Sequence, residues 1–347
     1  MGINGIDRNS DWSGSPGADS MGGMREQRLG DGLSVAGIGL GCMGFSQGYG
    51  EADDAESTAA IRAGVEAGIT LFDTAMSYGR GHNERLVGQA LAGLDVAVAT
   101  KFGIVRTETG VGLDGKPEHV AGYCDASLER LGREVIDLYY LHRIDPEVPV
   151  AETVGAMAEL VAAGKVRHLG ISEATPAQLR EAAAVHPIAA VQFEWSMLWR
   201  EPERDIVPVA RELGIGLVPY SPLGRGLLTA TLDSTTVATS DFRRNDPRFQ
   251  GEHLDENLAQ VAALRELAAR LGISAGQLAL AWLLAQGQDV VPIPGSRRAT
   301  RILENAAAAA IELSAEDLTE LEKLVPADGW SGDRTSFAVP TTSRGGD

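Results

Sequence analysis

The feature that most restricts the fold is an alternation repeated along nearly the whole chain. Short apolar runs suited to buried parallel strands lead into Ala-, Leu- and Glu-rich stretches whose apolar residues recur at helical spacing. Strands are expected at 35–40, 70–73, 96–101, 135–141, 168–171, 190–193, 216–219 and 290–293. Helices are expected near 55–67, 83–92, 117–131, 151–163, 176–186, 203–213, 258–271 and 314–324, with a further short one near 299–309. Eight strands, each leading into a helix, predict one α/β domain: a (β/α)8 TIM barrel with an extra short helix after the eighth strand.

A doubly wound sheet is the rival for such a pattern. It requires a Gly-rich turn that opens directly into a helix. Gly39-Leu40-Gly41-Cys42-Met43-Gly44 has the glycines, but Phe45-Ser46-Gln47-Gly48 follows instead of a helix. The barrel is therefore preferred, over residues 27–330. Residues 1–26 read as a disordered leader and 331–347 as a flexible tail, both small, polar and aperiodic. Residues 227–257 form a long polar insert after the seventh strand, a length usually reserved for functional covers or disorder.

Composition narrows the partners. A net charge of −18 repels phosphate backbones and anionic lipid, which argues against nucleic acid or a membrane surface. Cys42 and Cys124 are the only cysteines, too few for a disulfide scaffold or a multi-cysteine metal site, and no metal is expected. No apolar run approaches a membrane span, and the start lacks the basic patch and apolar stretch of a signal peptide. Gly2 is followed by Ile6 where a myristoylation signal has Ser or Thr. A cytoplasmic protein is expected, with subunit number left open.

Barrel chemistry sits at the C-terminal ends of the strands. The second strand ends Leu71-Phe72-Asp73-Thr74 with Tyr78 just beyond, the third ends at Lys101, and the fourth ends Leu141-His142. Taken singly, each has a plain structural reading: Asp73 as a loop or cap residue, Lys101 reaching to solvent, His142 as a hydrogen-bonded packing residue. Lysine is rare here, at positions 101, 116, 165 and 323 only, and adjacent strands aim all four groups at one mouth. An ammonium about 4 Å from a phenol favours the phenolate by ~4 kcal/mol at an effective dielectric of 20. On that ground Tyr78 is expected to have a lowered pKa, with Asp73 holding Lys101 in place and moderating its pull. A proton donor beside a second hydrogen-bond donor suits reduction of a carbonyl, with hydride from a cofactor because no side chain supplies one.

With those residues in view the chain resembles the aldo-keto reductase superfamily from about Gln27 to Trp330. The resemblance is carried by the 39–44 glycine motif, by Phe72-Asp73-Thr74-Ala75 with Tyr78-Gly79 and Asn83-Glu84, and by Thr100-Lys101-Phe102-Gly103. It continues through 136–143, through Gly164-Lys165-Val166-Arg167 and Gly170-Ile171-Ser172-Glu173, and through Pro219-Tyr220-Ser221-Pro222-Leu223-Gly224-Arg225-Gly226. It ends at Ile293-Pro294-Gly295-Ser296 with Arg301, Glu304 and Asn305. It is most similar to the branch containing perakine reductase and auxin-induced-protein-like reductases.

The resemblance implies Asp73, Tyr78, Lys101 and His142 as a catalytic tetrad, with Tyr78 as proton donor in an NADPH-dependent reduction of aldehydes or ketones to alcohols. It also implies a binding site for NADP(H). Cys42, Met43 and Asp73 would line it, Tyr220 would stack on the nicotinamide, and Ser172 and Gln192 would bond the carboxamide. Ser221, Leu223, Gly224 and Arg225 would follow the pyrophosphate. Ser296, Arg297 and Arg301 would meet the 2′-phosphate, and Glu304 and Asn305 the adenine. Independently, Arg297, Arg298 and Arg301 cluster at the start of a short helix in an acidic chain, an arrangement suited to phosphate. Two positions depart from the pattern: Glu173 stands where many relatives have Asn, and Gly295 where some have Lys. Phe45, Tyr49, Trp195 and Trp199 are candidates for an apolar substrate pocket. A cofactor-sensing subunit of the potassium-channel β-subunit type shares the fold and tetrad and is the competing reading; a flavin-dependent barrel would leave both tetrad and arginine cluster without a role.

Overall fold

The computed structural model describes residues 24–335, apart from 31, 108–109 and 233–240. Two short strands come first, β1 (Glu26–Leu29) and β2 (Leu33–Ala36), paired antiparallel. The barrel strands follow: β3 (Leu40–Gly41), β4 (Leu71–Asp73), β5 (Ala97–Phe102), β8 (Ile136–Leu141), β9 (Val166–Ser172), β10 (Ala190–Glu194) and β11 (Gly216–Tyr220). They form one parallel sheet in chain order, interrupted in sequence only by the antiparallel hairpin of β6 (Ile104–Thr107) and β7 (Gly110–Leu113). The helices are α1 (Asp54–Glu66), α2 (His82–Ala90), α3 (Pro117–Leu131), α4 (Val150–Ala162), α5 (Pro176–Val185) and α6 (Ile206–Glu212). They continue with α7 (Gly251–Arg270), α8 (Ala275–Leu284), α9 (Ala299–Ala307) and α10 (Ala315–Leu324).

Segment 289–294 closes the barrel as its eighth strand. Val291 and Ile293 donate to the carbonyls of Leu217 and Pro219 at 2.8 and 3.0 Å, while the carbonyls of Pro292 and Pro294 accept from Gly39 and Gly41 at 3.0 and 3.4 Å. Alternate prolines lack the N–H groups a regular ladder needs, so the pairing is carried by half the residues. The glycines of the 39–44 motif have their use here. A Cβ on Gly41 would stand 2.7 Å from the Ile293 carbonyl oxygen, so the motif serves close approach of the first and eighth strands.

Three sequence expectations need correction. The apolar run at 35–40 is split: its start belongs to β2 of the hairpin, whose Leu29, Leu33 and Val35 fill the barrel interior, and only Leu40–Gly41 joins the barrel sheet. Glu26, expected in the leader, begins β1; residues 1–23 lie outside the described residues. The expected tail does not begin free at Ser331. Asn257 bonds both the N–H and the carbonyl of Ser331, at 2.8 and 2.9 Å, and Arg334 is buried; residues 336–347 lie outside the described residues. In addition, α8 escaped the sequence reading because nearly all its residues are buried, so it shows no polar face and no helical stripe. α9 packs between α8 and α1 and completes the helix ring, leaving α10, packed on α7, outside it. Within the insert, α7 starts at Gly251, directly preceded by two short 3-10 turns, Phe242–Asn245 and Pro247–Phe249. Among the described residues no single helix is long and apolar enough to cross a membrane.

Candidate active site

The C-terminal ends of β4, β5 and β8 lie side by side, in register Asp73 with Ala99 and Lys101 with Tyr140. That register places Asp73, Lys101 and His142 at one rim. Tyr78 reaches it from a tight turn in which Gly79, Arg80 and Gly81 all have positive φ, at 55, 56 and 83°. Two of those three positions are glycine, the residue for which this conformation carries no Cβ penalty. The turn is braced from outside: the Gly79 N–H donates to Gln47 Oε1 at 3.1 Å. Below it, Asn83 accepts from the Thr74 hydroxyl at 2.6 Å and donates to the Cys42 carbonyl at 2.9 Å. Glu84, fully buried, accepts from Thr100 at 2.6 Å and from Arg130 at 2.5 Å. These bonds give the Asn83-Glu84 pair its structural role.

The four groups are brought together. The Lys101 ammonium donates to Asp73 Oδ1, to the Thr74 carbonyl at 2.8 Å and to the Tyr78 hydroxyl oxygen at 3.3 Å. Asp73 Oδ2 accepts from the Gln192 amide at 2.8 Å, so both carboxylate oxygens are held. The His142 ring meets the Tyr78 ring edge-on with centroids 5.7 Å apart. Lys101 is completely buried, and Tyr140 lies beneath it with its ring 6.0 Å from the nitrogen. Gly170 makes room for that ring, since a Cβ there would stand 2.4 Å from two ring carbons.

Burial governs the protonation states. It works against the Lys101 ammonium, but Asp73 and Tyr78 outweigh it and hold the lysine charged. Burial also pushes the Tyr78 phenol above its usual range; Lys101 opposes this and Asp73 adds to it. The lowered phenol pKa expected from the lysine alone is thus overturned, because desolvation and the carboxylate together exceed the pull of the ammonium. His142 is driven well below the usual histidine range by burial, then by the charges of Arg143 and Lys101, and is neutral at physiological pH. Its Nδ1 is buried and has no hydrogen-bond partner among the described residues.

The other expected residues surround this rim. Ser172 ends β9 and its hydroxyl accepts from Arg143 at 3.0 Å; Cys42 is buried, with its N–H on the Asp73 carbonyl, and Met43 beside it is half-buried. Tyr220 ends β11, and Ser221, Gly224, Arg225 and Gly226 beyond it take left-handed conformations, with Leu223 buried among them. Further round, Ser296 and Arg297 lie just ahead of α9, and Arg301, Glu304 and Asn305 lie within it. Arg297 is exposed and donates to the Glu51 carbonyl at 2.5 Å, while Arg301 pairs with Glu304 at 2.6 Å.

The aromatic pocket is not as expected. Trp195 is buried between Phe193 and Trp282 with its indole N–H on Glu203 at 3.0 Å, which makes it a packing residue. Phe45 is sealed in the core, and Trp199 is covered by the Arg334 guanidinium 5.5 Å above its ring. Only Tyr49 stays partly open, with Arg243 5.4 Å over it.

Sequence reasoning missed a buried ionic network around Glu194. Arg248 reaches Glu194 and Asp246 at 2.6 Å each, and Arg225 lies 3.5 Å from both. Arg334 adds a contact to Glu194 at 3.8 Å. Burial opposes ionisation of Glu194, but these three arginines outweigh it and bring its pKa down to about 2. The available signal was an Arg- and Asp-rich run at 241–248 in a chain that otherwise has few basic clusters.

A (β/α)8 barrel with an Asp–Lys–Tyr–His set at its open end defines the class of the chain. Residues 37–326 match the Aldo/keto reductase family, and the chain belongs to that family. It is 45% identical over 308 residues to a protein of Glycine max named probable aldo-keto reductase 1, covering 87% of this chain and 89% of the relative. Among solved structures it is similar to a glycerol dehydrogenase of Gluconobacter oxydans, with TM-score 0.81 and 30% identity, covering 87% of this chain and 96% of the other. It is also similar to an aldo/keto reductase of Klebsiella pneumoniae in complex with NADP and acetate, with TM-score 0.69 and 28% identity over 87% and 96% of the two chains.

Proposed function

We propose that the protein reduces small aldehydes or ketones to alcohols with NADPH, Tyr78 delivering the proton. The observation that carries this is the Lys101 ammonium shared between Asp73 and the Tyr78 hydroxyl at the barrel mouth. The residues fit the cofactor found in the Klebsiella pneumoniae relative. Tyr220 offers a ring for a flat heterocycle, and arginines stand at the start of α9, where a helix N-terminus and guanidinium groups suit a phosphate. When bound, the nicotinamide supplies the hydride.

The chain's own groups do the rest. A phenol with a raised pKa stays protonated at neutral pH, as a proton donor must. Its proton leaves only when an alkoxide, a far stronger base, develops on the carbonyl oxygen. The phenolate then formed lies 3.3 Å from the Lys101 ammonium, which stabilises it where it arises. Neutral His142 beside the phenol can donate one N–H to the same oxygen and orient it. Asp73 and Gln192 keep the ammonium from turning away.

The test is NADPH oxidation with a reactive aldehyde such as nitrobenzaldehyde. The wild-type chain turns over; Tyr78→Phe loses turnover while its NADPH affinity stays near wild type. Full activity in that variant refutes the proton-donor role. Tight NADPH binding with negligible turnover across a carbonyl panel would instead favour a cofactor sensor.

A further inference from the structure

Glu173 is the centre of a small hub at the barrel mouth. It follows β9 directly and holds a left-handed backbone, with φ 57°. Its Oε1 accepts from the Tyr220 hydroxyl at 2.7 Å, from Arg334 Nη1 at 2.9 Å and from the Glu194 N–H at 3.2 Å. Its Oε2 accepts from Arg334 Nη2 at 2.6 Å. The guanidinium thus grips both carboxylate oxygens, the bidentate geometry that makes an Arg–carboxylate pair strong.

Arg334 belongs to the segment after α10, far away in sequence, and that segment is fastened before it reaches Glu173. Asn257 in α7 holds Ser331 by two bonds. Gly332 lies so close to Arg248 that a Cβ would stand 2.9 Å from its backbone nitrogen. Arg334 itself is 8% exposed, packed over Trp199, with Glu194 as a second acidic neighbour. Burial pushes the Glu173 carboxyl up, but Arg334 above all, helped by Arg143 and the Tyr220 hydroxyl, pulls it below the usual range, so the acceptor facing Tyr220 is a carboxylate.

We propose that Glu173 and Arg334 are positioning residues for the Tyr220 ring, and that the chain after α10 is in this way part of the nicotinamide platform. The inference rests on the reading of Tyr220 as the ring that stacks on NADPH. A tyrosine held only at Cβ can swing about two side-chain torsions. Bonding its hydroxyl to a fixed carboxylate ties down the far end and sets the plane of the ring. Ordering the ring before the cofactor arrives removes an entropy cost that binding would otherwise meet. Glu173 can do this only while its second oxygen and its charge are held by Arg334, since a buried lone carboxylate would be unstable.

The experiment measures NADPH dissociation constants on the full-length chain by calorimetry, for wild type, Tyr220→Phe, Arg334→Met, Arg334→Lys and the double variant Tyr220→Phe/Arg334→Met. Tyr220→Phe keeps the ring and leaves the Glu173–Arg334 pair intact. It should weaken NADPH about five- to tenfold, the scale of ordering one side chain at the moment of binding. Arg334→Met should weaken it by a similar factor with KM for the carbonyl unchanged, and Arg334→Lys should recover part of the loss. The double variant should bind no worse than the weaker single, because both substitutions break one linkage. A Tyr220→Phe affinity within twofold of wild type overturns the inference, as does a double variant whose losses multiply. Absence of any NADPH binding by the unaltered chain overturns the proposed function itself, and this inference with it.

Discussion

Replacing Lys101 by Met separates the two things the buried ammonium does. Its side chain is fully buried and that of Asp73 nearly so, and the two are in direct contact. Removing one partner of a buried pair leaves an uncompensated charge, which typically costs about 3–5 kcal/mol of stability. The catalytic effect has a different source. At 3.3 Å and an effective dielectric of 20, the ammonium stabilises a Tyr78 phenolate by at most about 5 kcal/mol. The single variant loses that stabilisation and leaves the opposing Asp73 charge unbalanced, so a loss of at least about 2.7 kcal/mol, roughly a hundredfold or more in kcat, is expected. The double variant Asp73→Asn/Lys101→Met distinguishes the effects, because it removes both charges and keeps an oxygen for the Gln192 amide. Urea denaturation should show most of the lost stability restored in the double variant, while NADPH oxidation remains about a hundredfold slow. Recovery of more than a tenth of wild-type kcat would show that the cation is not needed. A single variant as stable as wild type would show that the pair is not a buried charge pair.

Two further outcomes follow from buried contacts. Gly170→Ala sets a methyl 2.4 Å from two carbons of the Tyr140 ring, so urea denaturation should report a loss of about 1–3 kcal/mol or more, with slower turnover because that ring lies under Lys101; a change below about 0.5 kcal/mol would contradict the packing. The Glu194 carboxyl titrates at about 2 when folded against an ordinary value of 4.5, so its contribution, on the order of 3 kcal/mol, is complete above 4.5 and is lost as the pH falls toward 2. Stability measured from pH 6 to 3 should therefore fall less steeply in Glu194→Gln than in wild type, and equal slopes would refute the assignment.

Much of the barrel was legible because strand and helix periods differ and the eight repeats are regular. The strand ends were legible for the same reason: an apolar run that stops at Asp73, Lys101 or His142 marks the rim. The failures have equally definite causes. α8 is buried on nearly every side and so carries no stripe, and the β1–β2 hairpin uses the same apolar residues as a barrel strand. The segment around Arg334 is rich in Gly, Ser and Asp, a composition that reads as tail whether or not one arginine in it finds a buried carboxylate. Trp195 and Trp199 have the residue type of a pocket wall, yet burial assigns one to packing and Arg334 covers the other.

What the sequence by itself determined is therefore the order and kind of the elements and the identity of the polar groups at the rim, since both follow from local periodicity. The tertiary structure alone decided how those groups behave. Whether Tyr78 is pushed up or down depends on its burial and on the separate distances to Lys101 and Asp73. Whether Arg334 hangs free or grips Glu173 depends on a contact across 161 positions. Desolvation and Coulomb energy are functions of distance in space, and separation along the chain does not fix that distance.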